Sequence, residues 1–311
     1  MLSIKGYNTK RDFRIFLALT SSLATVMIIT SPCYVNAATN NTSNSENRTG
    51  TISTTTNNPI TNILAKNLEN HLQKAGAILE ITSKLPQVRN VPFVNLLNQT
   101  LKTQHGIPQY ADIQKRQIAQ NILSNYKDLQ IIIFIMPNGD IYFDEPYSRQ
   151  QISTTNNLGF RDYFQGVVKT KGIYLGNPST SASSGQRQSV IAVPVFSIKD
   201  NSTLVGVWAG GIDFGVLNKE LQSLNLTSLD GIRVVYVGHN GQKIADSDIS
   251  SASRLESFAN LNSFKNAING KAGSTIDTAN NTKMLVTYQP VKIFHNTWVV
   301  LLMQPIPLPR Q

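Results

Sequence analysis

The sequence predicts an α+β protein in which one long N-terminal helix precedes two sheet modules built to the same plan. Three observations carry that expectation: a long amphipathic stripe, a hairpin pattern that occurs twice, and runs of strands bracketed by helices.

The stripe comes first. Ile60, Ile63, Leu64, Leu68, Leu72, Ala75 and Leu79 recur at spacings of three and four, which places them on one face of a helix from about Pro59 to Lys84. At 1.5 Å per residue such a helix is roughly 39 Å long. Leu85-Pro86 ends it, because proline restricts the residue before it and has no N–H for the helix ladder. The repeat comes second. The run from Phe134 through Asn138-Gly139 to Asp144 is echoed by the run from Tyr236 through Asn240-Gly241 to Asp246, with Asn-Gly and the final Asp at matching offsets. Asn-Gly between β-rich flanks predicts a hairpin closed by a type I′ turn. A second echo follows in the same order, Val190–Val195 against Leu285–Val291, each leading into another apolar strand.

Between these landmarks the remaining elements fall into place. Shorter helices are expected around Pro92–Thr103 and Ala111–Tyr126. Leu129–Met136 is a continuous apolar run, the pattern of a strand buried on both faces. A short helix at Phe160–Thr170 leads to strands at Ile173–Leu175, Ser189–Phe196 and Leu204–Ile212. Phe214–Leu224 reads as a connecting helix, and Ile232–Val237, Gln242–Ala245, Met284–Pro290 and Trp298–Met303 as a second, smaller sheet.

Lys5, Lys10, Arg11 and Arg14 precede an apolar stretch from Ile15 to Thr30, and Val35-Asn36-Ala37 supplies a small-residue cleavage pattern. Residues 1–37 therefore read as a secretory signal, the alternative being an uncleaved membrane anchor, for which the stretch is short. Cys33 is the only cysteine and leaves with the signal on the first reading. Residues 38–58 are almost entirely Asn, Thr and Ser, too polar to bury a core, and read as a flexible linker. No second apolar run follows, so a signal is expected to cross a membrane only through a separate membrane signalling partner. The net charge of +10 falls to about +7 without residues 1–37, which hold four bases and one acid, and no Lys/Arg block with interleaved aromatics occurs. That pattern excludes nucleic acid as the expected partner.

Enzyme chemistry has no motif to stand on. His71, His105, His239 and His295 lie far apart with no HExxH or CxxC spacing, and there is no Gly-x-Ser-x-Gly, Walker A or GxGxxG. Asp144-Glu145 are adjacent, so on a strand they point to opposite faces and suit no paired acid–base mechanism. Neither a metal nor a cofactor is expected.

The order of elements, with Phe160-Arg161-Asp162-Tyr163-Phe164, then Ile173 to Pro178, Ser184-Gly185, Val190 to Val195 and Gly206 through Gly211-Ile212-Asp213, resembles the double Cache extracytoplasmic sensor domain with its two PAS-like modules. The resemblance implies residues 59–212 as helix plus membrane-distal module, 213–305 as the membrane-proximal module and 306–311 as a tail. It implies an exported protein, secreted or tethered to the outer face of the cell membrane, that captures a small polar metabolite such as an amino acid or another carboxylate. The ligand would sit in the first module. Arg161 would grip its carboxylate, Tyr163 and Phe164 would wall it, Asp213 would take an ammonium group, and Tyr174 and Asn177 would form the opposite lip. The run departs from the family's amino-acid motif at Asn156, where a Tyr is usual, which keeps other carboxylates and polar metabolites open. A homodimer through the Pro59–Lys84 helix is a further expectation. The alternative is a surface protein for adhesion or solute scavenging with a degenerate pocket. Each residue also has an ordinary use: Arg161 as a partner of Asp162, Tyr163 and Phe164 as core, Tyr174 as a strand aromatic, Asp213 as a helix cap.

Overall fold

Helix α1 (Pro59–Ser83) forms as its stripe predicts, with Leu64, Leu68, Leu72, Ala75 and Leu79 buried, whereas Ile60 and Ile63 at its start are solvent-exposed. The computed structural model describes residues 59–100, 105–224, 226, 231–279 and 282–306. The expected signal and Cys33, the linker and nearly all of the tail lie outside the described residues. After α1 come α2 (Pro86–Arg89), α3 (Val94–Thr100) and α4 (Ile113–Asn125).

The first module contains β1 (Leu129–Ile135), β2 (Ile141–Glu145), α5 (Tyr147–Gln151), α6 (Asp162–Thr170), β3 (Tyr174–Leu175), β4 (Ser179–Thr180), β5 (Arg187–Gln188), β6 (Val190–Phe196) and β7 (Leu204–Ile212). Helix α7 (Phe214–Ser223) leads to the second, with β8 (Arg233–Val237), β9 (Lys243–Asp246), α8 (Asn262–Ile268), β10 (Gly273–Ala279), β11 (Thr282–Ile293) and β12 (Asn296–Pro305). The first sheet runs β2-β1-β7-β6-β3 and the second β9-β8-β12-β11-β10, five antiparallel strands each in the same spatial order. The second sheet is thus not the smaller one. Its fifth strand, β10, carries a single large apolar residue, Ile276, and that side chain is exposed, so no strand pattern marks it in the sequence.

Alternation along the strands sorts the core. Ile132 and Phe134 of β1, and Val234 and Tyr236 of β8, join one apolar body with the α1 stripe. Their neighbours Ile131, Ile133 and Ile135 face α6, and Val235 and Val237 face α8. Each sheet is therefore covered on one face by the shared long helix and on the other by its own short one. Trp208, fully buried, donates its indole N–H to Thr82 Oγ1 at 3.0 Å, fixing the end of α1 over the first sheet.

The echoed runs form matching hairpins, but not through type I′ turns. Gly139 N–H donates to Met136 O at 2.8 Å and Gly241 N–H to Gly238 O at 2.9 Å, so the turn centres on the residues before each glycine. The glycines follow at φ +90° and +79°, the arrangement of a type I turn closed by a glycine bulge. Pro137, with φ locked negative, suits the first central position of such a turn. The pairing then shifts at the same place in both copies. Phe134 pairs with Phe143 and Ile135 with Ile141, as Tyr236 pairs with Ala245 and Val237 with Lys243. Tyr142 and Ile244 are the extra, bulged residues. The bulge turns Ile141 and Asp144, three apart in sequence, toward the same side.

Among the described residues, one tight turn has two consecutive positive-φ residues, and it joins β11 to β12 at Phe294 (φ 45°) and His295 (φ 66°). It sits where the modules meet. Asn296 Nδ2 beside it donates to the Leu175 carbonyl, and the Phe294 ring lies against Gly76 of α1. A methyl group on Gly76 would stand 2.8 Å from Ile173 Cδ1 and closer still to that ring. Gly76→Ala is expected to cost about 1–3 kcal/mol by overpacking. A urea midpoint equal to that of the wild type would show that the Phe294 ring turns aside freely. The junction is further tied by His71 of α1, whose Nδ1 lies 2.9 Å from Asp128 and whose Nε2 lies 3.0 Å from Glu220 of α7. Hydrogen bonds to Asp128 and Glu220 outweigh burial and push its pKa up to about 10, so the ring is cationic at neutral pH.

Candidate functional site

On the α6 side of the first sheet, the strand face, the start of α6 and the chain around the β4–β5 hairpin border a small, partly open cavity of about 20 Å³. Ile131, Ile133 and Ile141 give its apolar wall, and Asp144, Arg161, Tyr163, Gln188 and the Ser179–Ser183 segment its polar groups. That volume holds roughly one water molecule. A larger occupant needs the 179–188 hairpin to move outward. Two roomier clefts are open grooves, one of about 610 Å³ beside Arg89 and Pro194 and one of about 650 Å³ between Arg187 and Leu255.

Local chemistry sets each wall. Asp162, at the first turn of α6, accepts from Tyr163 N–H at 2.8 Å and from Asn177 N–H at 2.7 Å, which clamps the chain after β3 onto the helix start. Asp162 is therefore not the partner of Arg161. Arg161 Nη2 donates to the Thr180 carbonyl at 3.0 Å, its guanidinium lies over the Phe160 ring, and no carboxylate is within ion-pair distance among the described residues. Arg149 of α5 donates to Ser183 Oγ at 2.9 Å and Ser181 Oγ at 3.3 Å, holding the covering segment in place. Burial pulls the Arg149 pKa down, with Asp144 and Asp213 opposing.

The expected residues divide. Arg161 and Tyr163 line the cavity. Phe164, Tyr174, Asn177 and Asp213 do not: Phe164 is buried in the core under α6, and the Tyr174 ring packs over Gly166 of that helix. Asn177 is bound to Asp162 through its backbone. Asp213 caps α7, accepting from Gly215 N–H at 2.8 Å. Its short side chain satisfies an otherwise orphaned helix donor, the use that a carboxylate just before a helix ordinarily has.

One polar residue of the cavity stands in the sequence as the last residue of the echoed run and as half of an adjacent acid pair, with no ligand role read for it. Asp144 is 2 % exposed, lines the cavity, and its Oδ1 has no hydrogen-bond partner among the described residues. Glu145 points the other way and pairs with Arg116 at 2.7 Å, as strand alternation requires. Burial pushes the Asp144 carboxyl up to about 7, with Glu145 adding to the rise and Arg149 and Arg116 opposing it. The raised value has a definite sign. Between the unfolded value near 3.9 and about 7 the folded protein holds a proton that the unfolded chain releases, so this group lowers stability as pH climbs through that window. Asp144→Asn is accordingly expected to raise Tm at pH 8 and leave it nearly unchanged at pH 4. A fall in Tm at pH 8 would mean that the charged carboxylate is held by partners within the chain. The sequence signal for Asp144 lay in the repeat itself, in what the two copies do not share.

Two modules of one plan behind a shared helix, with a small polar site under a short helix of the first, now have a counterpart. Residues 36–306 match the Cache domain family. The chain is a member of that family. Cache domains are extracellular or periplasmic sensor domains of receptors and bind ligands rather than catalyse reactions. No curated protein matches this Cache chain. Among solved structures, the periplasmic sensory domain of the Campylobacter jejuni chemoreceptor Tlp1 is similar at 16% identity and TM-score 0.56, over 81% of this chain and 96% of that one. The ligand-binding domains of the Pseudomonas aeruginosa PAO1 amino acid chemoreceptors PctB, in complex with L-Arg, and PctC, in complex with GABA, each give TM-score 0.52. PctB is 14% identical over 79% of this chain and 92% of that one, and PctC 18% over 79% and 96%. At these identities the likeness establishes the fold. Among the described residues of this Cache chain, no helix is long and apolar enough to cross a membrane, and no three His, Cys, Asp or Glu side chains group as metal ligands.

Proposed function

We propose that this Cache chain is an extracytoplasmic sensor that captures a small polar metabolite by its carboxylate, on Arg161, and acts through a separate membrane partner. One observation carries the reading: a guanidinium on the wall of a small, partly open cavity, bound to a single carbonyl and without an acid partner among the described residues. Such a fork accepts a carboxylate through two parallel charge-assisted bonds, and the partly dry setting strengthens them. Tyr163 and the isoleucine face supply shape. The L-Arg of the PctB complex and the GABA of the PctC complex both carry a carboxylate, which agrees with this assignment.

The covering hairpin offers a route outward. Arg187 on β5 donates to the Lys243 carbonyl at 3.0 Å and to Gln242 Oε1 at 2.7 Å, fastening the segment over the cavity to the second module's hairpin. A ligand that displaces this segment binds the two arrangements of the modules with different affinity, which is what shifting their equilibrium requires.

The test is thermal unfolding with amino acids, organic acids and amines. A compound at 100 times its Kd should add about 2.7 kcal/mol, or roughly 5–10 °C for a domain of this size. Arg161→Ala is expected to remove the response. A variant that keeps the full shift overturns the carboxylate assignment.

A further inference from the structure

The two modules share a hairpin and its bulge, and they differ where it matters around the hairpin's aspartate. Ile131, Ile133, Ile141 and Asp144 line the first cavity, and the common register sets Arg233, Val235, Lys243 and Asp246 at the matching positions of the second module. There the carboxylate is filled from within. Arg233 donates to the two oxygens of Asp246 at 3.0 and 2.5 Å, and Lys243 Nζ stands 3.0 Å from Oδ2. In the first module isoleucine replaces both cations. Asp144 keeps the buried carboxylate and has lost its donors, leaving Oδ1 unpartnered, while the nearby Arg149 is engaged with Ser181 and Ser183. A third position moves the opposite way. Arg161 and Leu261 match, since each N–H bonds the carbonyl three residues earlier, on Leu158 and Phe258.

We infer that the first module receives an organic cation, a primary ammonium group, on Asp144, at the place that Arg233 and Lys243 fill in the second module. The inference rests on the reading of this cavity as the ligand site. With Arg161 taking a carboxylate, it makes the ligand a zwitterion and gives the ammonium contact to Asp144 instead of Asp213, whose carboxylate caps α7. The space of about 20 Å³ at the isoleucine wall is that of one water, and an ammonium head is of similar size. A buried carboxylate without a donor is costly, and a donor carried by the ligand recovers that cost only when the ligand is bound.

The experiment measures Tm and apparent affinity of the full folded chain and of Asp144→Asn with ethylamine, putrescine, L-alanine, γ-aminobutyrate, L-arginine, propionate and succinate. Amino compounds are expected to stabilise the wild type and to bind Asp144→Asn at least 10-fold more weakly, while any response to propionate or succinate persists. Equal responses of both proteins to the amino compounds, or stabilisation by the carboxylates alone, overturn the cation assignment and leave the Arg161 reading standing. A chain that responds to none of the seven overturns both. A second measurement needs no ligand. Ile141→Lys transplants the second module's own cation, and it should raise Tm and abolish the amino-compound response in the wild-type background but lower Tm in Asp144→Asn. The same Tm change in both backgrounds would show that Asp144 does not accept a cation.

Discussion

Arg116→Ala is expected to destabilise the protein by about 3–5 kcal/mol, the cost of leaving a buried charge without its partner. The residue is 2 % exposed, and its guanidinium serves several acceptors at once. Nη1 lies 2.7 Å from Glu145 Oε1, Nη2 lies 3.0 Å from Gln150 Oε1 and from the Ile107 carbonyl, and Nε lies 3.2 Å from the Ala111 carbonyl. The Phe143 ring stacks beneath it at 4.8 Å. Truncation strands the Glu145 carboxylate, itself 2 % exposed, with Gln120 at 3.1 Å its one remaining side-chain donor among the described residues. Lysine should not rescue the loss, because one ammonium cannot reproduce a planar fork that faces acceptors on three segments. The readout is chemical or thermal unfolding, with a drop of roughly 10 °C or more. A change below about 1 kcal/mol would show that the network is solvated and contributes little.

Asp246→Asn carries the second large effect, about 3 kcal/mol of lost stability. Its carboxylate, fully buried, is the common acceptor for Arg233 and Lys243, with Glu256 the remaining acid at 2.7 Å from Arg233 and 3.6 Å from Lys243. A neutral amide withdraws the shared charge and turns an N–H₂ group toward cations. The comparison with the first module sharpens the expectation. The same substitution at the matching Asp144 should stabilise the protein at pH 8, because there the charge has no donor to lose. Opposite signs from one chemical change at two equivalent positions are the signature of one module filled from within and the other left for an outside partner. Equal signs would end that distinction.

The repeat, the two-module plan and the α1 stripe were legible in the sequence because each depends on local pattern: periodicity for the helix, apolar runs for the strands, Asn-Gly for the hairpins. The legible part had edges. Ile60 and Ile63 fit the stripe's spacing yet are exposed, because the buried face at the start of α1 runs through Thr61 and Leu64 instead. The turn type differs from the expectation in both copies alike, since each turn closes on the glycine N–H and not across it, with Pro137 in one copy and His239 in the other at the first central position. β10 escaped notice because its one large apolar residue, Ile276, is exposed, and α8 because a seven-residue helix buries only two apolar residues, Phe264 and Ala267, too few to set a period.

At the site, the run that opens α6 supplies Arg161 and Tyr163 to the cavity lining, whereas the acid that lines it is Asp144 and Asp213 caps α7. Asp213 and Asp144 are equally plausible acids on paper. What separates them is three-dimensional: a helix end whose N–H lies within reach of the first, and a bulge at Tyr142 that turns the second toward the cavity. The sequence by itself determined the class of fold, the twofold plan and which short segment would bear the guanidinium, since these follow from spacing along the chain. Only the tertiary structure decided which carboxylate lacks a donor. Whether a charge is satisfied depends on groups far apart in sequence, as Arg233 and Lys243 show by filling in one module what isoleucines leave open in the other.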